Sequence, residues 1–319
     1  MKRDHVAASR VTMTPPKISL RGCDRLTRPS PRATMPFMLR RLRFLALFMT
    51  GLLGGCVIVA ERQHALVLTS EGTVMQRPMR CGDPPVALAA QAGALDPRTI
   101  RLVSWNLHKE ADKGWQSDLE GLMRQSDLLL IQEAEVSPGF RAVVEQGGFS
   151  WLLSSAFEYQ GAEYGVLTAT RVAAGTACTL RAYEPLILIP KAALITHYRL
   201  AGRAETLAVA NLHAINFALG TDAYRAQLDA IADTLSTHHG PVVVAGDFNT
   251  WNDQRDAVVQ ALASKLGLTP VTFRVDERKR FFGRIFDWVY VRGVEVLAAT
   301  AWNVSSSDHN PLLVALRVP

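Results

Sequence analysis

The sequence predicts one mixed α/β domain over residues 100–319, and three observations carry that prediction. Apolar runs of strand length alternate with segments of helical spacing, and no internal repeat interrupts them. A chain of 319 residues, 48% hydrophobic and 20% charged, is also long enough to bury a large core.

Each element can be justified in order. "TIRLVSWN" brings Ile100, Leu102 and Trp105 into imperfect alternation with polar positions, as a strand does. "SDLEGLMRQS" suits a short helix, and "DLLLIQE" is a continuous apolar run suited to a strand covered on both faces. "YGVLTAT", "AALITHYRL" and "ETLAVANLHA" read as strands. "DAYRAQLDAIADTLSTHHG" repeats Tyr224, Leu228, Ile231 and Leu235 at helical spacing, with Thr221 or Asp222 to cap it and Gly240 to end it. "PVVVAGD" is a strand and "DAVVQALASKLG" a helix closing at Gly267. "FDWVYVRG", "VEVLAATAW" and "HNPLLVALRV" follow as strands.

The formal charge of +6 suggests an anionic partner until its distribution is read. Residues 1–56 hold eleven Lys/Arg against Asp4 and Asp24, so the remainder carries 24 basic and 27 acidic residues, a net charge of −3. The folding part therefore gives no support to non-specific nucleic-acid binding. Within the basic segment, "MLRRLRFLALFMTGLLGGC" has Arg40, Arg41 and Arg43 before an apolar stretch from Phe44 to Leu53. That stretch is shorter than the roughly 20 residues a membrane span needs, but it suits a secretory signal. Leu53-Gly54-Gly55-Cys56 resembles a lipobox, with Cys56 as the lipidated residue. The expected location is the cell envelope, as a membrane-anchored lipoprotein; a non-functional signal would leave the protein cytoplasmic. Residues 1–34 read as an upstream extension, with Met35 or Met38 as the start. Residues 57–99 read as a linker between anchor and domain. Cys81 and Cys178 match no zinc spacing and are either a disulfide or two unrelated thiols.

The chemistry lies at the strand ends. Asn106 follows Trp105, Glu133 follows "LLLIQ", His213 follows Leu212, and Asp247 and Asn249 follow "PVVVAG". Asp287 opens "DWVYV", and Asp308-His309 precede the last strand. Carboxylates are rarely buried unless paired or metal-bound, so several of them at adjacent strand ends imply a hard cation, Mg²⁺ or Mn²⁺, with imidazoles nearby. Singly, each residue has a duller reading: Asn106 could cap a turn, and Asp287 could pair with Arg284.

In order, "WNLH", "IQE", "NLHA", "GDFN", "FDWVY" and "SDHNPL" resemble the motif series of the endonuclease/exonuclease/phosphatase superfamily, the DNase I-like proteins, over about residues 100–319. "NLHAINFALGTDAYRAQL", "FFGRIFDWVYVRG" and "SSDHNPLLV" are most similar to its YafD-like bacterial branch. The resemblance implies a four-layer α/β sandwich of two packed mixed β-sheets flanked by helices, with the site at one edge. It implies Asn106 and Glu133 as metal ligands, with Asp308 completing or supporting the shell. It implies His309 as the catalytic imidazole oriented by Asp287. Asp247 would position or deprotonate the water, Asn249 would hold the water or the phosphate, and His213 would donate to a phosphate oxygen. Either His309 or Asp247 can be the base.

The expected activity is phosphoester hydrolysis, most of all by a monomeric phosphodiesterase or nuclease acting on nucleic acid or a phospholipid headgroup. The alternatives are a phospholipid or sugar-phosphate phosphoesterase of the envelope, or a silent binding module on the same fold. His108, His197, His238 and His239 receive no ligand role; the last two sit where an imidazolium meets a helix end. Arg274, Arg278, Lys279, Arg280 and Arg284 form either a phosphate-binding lip or a solvated loop. Trp251 is expected to pack, and Arg225 and Gln227 to be structural.

Overall fold

Strands whose Leu, Val and Ala side chains alternate between two apolar surroundings need cover on both faces, and here two such sheets cover one another. The computed structural model describes residues 57–58, 66–69, 77–83, 88, 93–281 and 283–319. Cys56, with the expected signal and extension before it, lies outside the described residues.

In chain order, β1 (Val57–Ile58), β2 (Leu66–Thr69), β3 (Arg77–Pro78), β4 (Ile100–Asn106), β5 (Leu128–Glu135), β6 (Ser150–Tyr159) and β7 (Ala162–Thr170) belong to the first sheet. The second sheet takes β8 (Thr176–Tyr183), β9 (Pro190–Arg199), β10 (Thr206–His213), β11 (Val242–Asp247) and β12 (Thr269–Pro270). β13 (Arg280–Phe281) and β14 (Arg284–Ile285) form a separate antiparallel pair. β15 (Asp287–Arg292) joins the second sheet, while β16 (Glu295–Ala301) and β17 (Leu312–Arg317) return to the first. The first sheet runs β16-β17-β4-β5-β7-β6-β2-β3, with β1 also on β6; the second runs β12-β15-β11-β10-β9-β8. The longer helices are α1 (Trp115–Met123), α2 (Pro138–Gln146), α3 (Asp222–Ser236) and α4 (Asp253–Leu266).

Alternation along the strands sets the layers. Leu102, Leu128 and Leu130 meet Leu207, Val209, Val243 and Val289 between the sheets. Their neighbours Val103, Leu129 and Ile131 face outward onto Trp115 and Leu119 of α1 and Phe140 and Val144 of α2. On the other side Ala210, Leu212 and Val244 meet Tyr224 and Leu228 of α3 and Val258 and Leu262 of α4. The result is the expected four-layer sandwich, each buried Leu or Val contributing roughly 1.5–3 kcal/mol.

Two parallel pairs, β4–β5 and β10–β11, sit near the middle of their sheets and end on one edge. There Asn106 lies beside Gln132, His213 beside Asp247, and Asp247 beside Asp287 across the antiparallel β11–β15 pair.

Some local expectations need correction. The described parts of segment 57–99 are not a free linker: β1 and β2 pair with β6, Met79 and Leu95 are buried, and Cys81 is bonded to Cys178 across 97 residues. Strands of two to four residues are too short to show a period, which is why they read as linker. α3 stops at Ser236 rather than Gly240, because His238 turns away and its ring bonds the Pro241 carbonyl at 3.2 Å. Thr221 is the N-cap residue but makes no side-chain capping bond. Burial also holds His238 below the usual imidazole range, against the expectation of an imidazolium there. α4 closes at Gly267 as read, with φ +64°, but begins at Asp253 rather than Asp256, with Asn252 accepting from the Arg255 N–H. Among the described residues, no helix is long and apolar enough to cross a membrane.

Candidate active site

The site begins with two backbone devices. Gly246 has φ +143°, and a Cβ there would lie 1.9 Å from the Leu212 carbonyl oxygen, so only glycine lets β11 run this close to β10. Glu133 sits at φ +49° where the β5–β7 register shifts between Ile131 and Ala134, a bulge that turns its side chain out of the sheet alternation.

At the second sheet's edge, His309 Nδ1 and Asp287 Oδ2 are 2.7 Å apart. His309 Nε2 lies 3.9 Å from Asp247 Oδ2 and 4.0 Å from Asp308 Oδ1. The loop that carries His309 is fixed from below: Trp105 Nε1 donates to its carbonyl (3.1 Å), and the Ser307 hydroxyl accepts its N–H (3.0 Å) while donating to the Asn106 carbonyl (2.7 Å). Burial opposes charging this imidazole, but Asp287, with Asp247 and Asp308 adding to it, raises it to about 10. Asp247 moves in the direction burial dictates: desolvation, against the pull of His309 and with Asp287 adding to it, pushes its carboxyl up to about 7. Asn106 Nδ2 (3.1 Å) and the Asn249 N–H (2.9 Å) donate to Asp247. Asn249, at φ +50°, donates its side-chain amide to the Ala214 carbonyl.

The first sheet's edge is built round Glu133. Burial opposes its ionisation, yet Lys109 and Lys191 hold the carboxyl well below the usual range. Lys109 forms an ion pair with it from a run of three left-handed residues, His108, Lys109 and Glu110. His213 Nε2 is 3.8 Å from Glu133 and 3.6 Å from Asp247.

His213 needs a revised role. Lys191 Nζ approaches its Nε2 at 2.9 Å, and since an ammonium only donates, Nε2 is the acceptor and cannot donate to a phosphate. Burial and then Lys191 keep this imidazole neutral. Gln227 fixes its backbone by donating to its carbonyl (3.1 Å). The fully buried Glu184 lies 3.9 Å from Lys191.

All eight site residues read from the sequence thus reach one edge, with Asp308 on its more exposed side. The pairing of Asp287 with Arg284 does not form; Arg284 engages Asp253 and Asp256. Arg278 is bonded to Asp276 at 2.7 Å and stacked on Phe273 and Trp288, which weakens the reading of that loop as a phosphate lip. Trp251 packs against the buried Arg255 guanidinium (4.5 Å), which also bonds the Asn249 carbonyl at 3.1 Å. His108, given no role, lies 3.8 Å from Asp308 and 2.8 Å from Asp112. Lys109, Lys191 and Glu184 were not foreseen. Lys109 directly follows the "WNLH" block and could have been found there; nothing in the spacing marks the other two.

The donor chemistry suits a hard cation. Asn106 and Glu133 present oxygens from adjacent strand ends, and Glu133 is ionised despite burial. Among the described residues, no group of three or more His, Cys, Asp or Glu side chains is arranged as a metal cage.

Comparison with known proteins agrees with this geometry. Residues 103–309 match the model of the Endonuclease/Exonuclease/phosphatase family. A UPF0294 protein of Yersinia pseudotuberculosis is 40% identical over 215 residues, 67% of this chain and 82% of that one. One from Vibrio parahaemolyticus is 35% identical over 272 residues, 84% and 94% of the two chains. Among solved structures, an endonuclease/exonuclease/phosphatase from Bacteroides vulgatus superposes with a TM-score of 0.55 at 18% identity, covering 69% of this chain and 99% of that one. The catalytic domain of human Nocturnin, with bound sulfate, gives 0.53 at 18% identity over 72% and 97%. These structural likenesses speak for the fold. The family's members are generally hydrolytic phosphoesterases, nucleases and phosphatases among them, that typically use divalent metals. The chain belongs to the endonuclease/exonuclease/phosphatase family and, within it, to the UPF0294, YafD-like branch.

Proposed function

We propose that this chain is a divalent-metal-dependent phosphodiesterase working through Asp287, His309 and Asp247. The observation that supports it most is the buried Asp287–His309 pair, 2.7 Å apart, whose free imidazole nitrogen faces Asp247. Asp287 orients the ring and keeps His309 protonated at neutral pH, so His309 donates its Nε2 proton to the leaving oxygen as that oxygen's bond to phosphorus breaks. Asp247, poised at about 7, accepts the proton of the attacking water. Asn249 favours the ionised form of Asp247 through its backbone N–H. Lys191, oriented by His213 and Glu184, takes the phosphate-binding role first given to His213. Asn106 and Glu133, supported by Asp308, would hold Mg²⁺ or Mn²⁺, which neutralises phosphoryl oxygens and acidifies bound water.

The setting we propose is the cell envelope, with a lipidated Cys56 as anchor and the chain a monomer. The Cys81–Cys178 disulfide supports an oxidising compartment.

The test sets the full chain beside His309→Ala, each with Mg²⁺ or Mn²⁺ and with EDTA. The substrates are plasmid DNA, single-stranded RNA, a chromogenic phosphodiester and phospholipid vesicles. Hydrolysis that vanishes in the variant and with EDTA is the expected result. Hydrolysis that survives both, or none on any substrate, rejects the reading.

A further inference from the structure

The loop between β8 and β9 reads "YEPLILIP", an apolar sequence for a connection that runs over the surface. Its leucines are not folded inward: Leu186 is 56% exposed and Leu188 69%. Beside it the loop after β10 carries Leu219, 86% exposed. Scattered exposed leucines are ordinary, but large aliphatics gathered in two adjoining loops mark an interaction surface.

The loops are held rather than loose. The buried Glu184 carboxylate accepts the N–H groups of Asn216 (2.8 Å) and Phe217 (3.3 Å), and the Leu186 N–H donates to the Phe217 carbonyl (3.4 Å). The Leu188 N–H donates to the Glu184 carbonyl (2.8 Å), with Leu188 itself left-handed at φ +57°. A strained backbone that keeps a leucine in water gives no benefit to the isolated fold.

Position decides what this surface meets. β9 begins and β10 ends on the catalytic edge, at Lys191 and His213, so both apolar loops flank the site. The antiparallel β5–β7–β6 pairing brings Tyr159, the last residue of β6, to the same edge as Glu133 and Glu135. Val57 pairs with Tyr159, and the residue before Val57 is Cys56, the lipidation candidate. The start of β1 at Val57, the apolar loops and the catalytic groups therefore share one edge.

We propose that the Leu186–Leu188 and Leu219 loops are a membrane-docking surface that lays the catalytic edge against a lipid bilayer. The docking surface stands on the exposed leucines and this convergence. Its consequence for substrate, a phosphodiester within a phospholipid headgroup, rests on the phosphodiesterase reading above.

Hydrogen exchange of the full chain, with and without vesicles of phosphatidylethanolamine and phosphatidylglycerol, reads the surface without needing catalysis. Protection gained at residues 184–190 and 216–220 is the expected result; unchanged exchange there overturns the proposal. Protection that grows with protein concentration in the absence of lipid marks a second copy as the occupant and also overturns it. Combining Leu186→Ser, Leu188→Ser and Leu219→Ser should leave hydrolysis of a soluble chromogenic phosphodiester intact. On vesicle lipid it should lose at least about tenfold, the effect of withdrawing one aliphatic anchor from an apolar phase. If the unsubstituted chain hydrolyses neither, the phosphodiesterase reading fails while the exchange result still decides the docking surface.

Discussion

The first sheet ends at the site in Asn106 and Glu133, and the second in His213, Asp247 and Asp287; Glu133 keeps 17% of its side chain exposed and Asp247 3%, and the two ends are chemically opposite. Glu133 and Asp247 both suffer the burial penalty that raises a carboxyl pKa. Glu133 is ion-paired to Lys109 and within the field of Lys191, so it stays ionised. At Asp247 burial prevails over the pull of His309, Asp287 across the β11–β15 pair adds to it, and the carboxyl rises to about 7. Burial acts on both carboxyls; the two lysines overcome it at Glu133, whereas at Asp247 the pull of His309 does not.

The sharpest way to break this contrast is to remove the charge that sets the proton-handling side. Asp287→Asn should lower turnover of a soluble phosphodiester by ~10²–10⁴-fold, the usual scale of a general acid–base group. Wild-type turnover in that variant would show that the pair is not the machinery. The same substitution should change the pH dependence of stability. A raised imidazole pKa contributes stability that is complete below its unfolded value and is lost as pH rises through about 10. Asp287→Asn should flatten that loss in a thermal melt series.

A smaller effect is expected on the cation side. Lys191→Met should cost on the order of 10²-fold in turnover, as removal of one preorganised donor does, and Lys191→Arg should recover part of it. Equal loss in both variants would make Lys191 structural. The smallest effect concerns Asp247 and stability. Its raised carboxyl destabilises the fold progressively as pH climbs from the unfolded value toward about 7. Asp247→Asn should therefore melt higher relative to wild type at about pH 8 than at about pH 4, while losing activity. An identical difference at both values would mean the carboxyl is not perturbed.

What the sequence made legible, and what it hid, follows from range. Asn106, Glu133, His213 and Asp247 could be read because each directly ends an apolar run, and a polar side chain at that point has few purposes. Asp287 and His309 could be read as types, but their 2.7 Å contact needs β15 and the loop before β17 brought together from opposite sheets. Lys191 and Glu184 stayed hidden because their partners lie across strands, so no local pattern records them. Leu188 sits among other apolar residues, and nothing in that local pattern records its exposure. β1 to β3 left no period at all, being two to four residues long.

The segment around Cys81 has a consequence beyond linking two thiols. β8 is the outer strand of the second sheet, and residues 79–81 lie along its free side: Thr179 N–H donates to the Met79 carbonyl and Cys81 N–H to the Thr179 carbonyl. The disulfide thus acts as a latch that keeps an edge cover in place, closing a row of backbone groups on which another chain could add a strand. In a reducing compartment the latch opens, and self-association through β8, more than lost activity, would be the hazard the molecule faces.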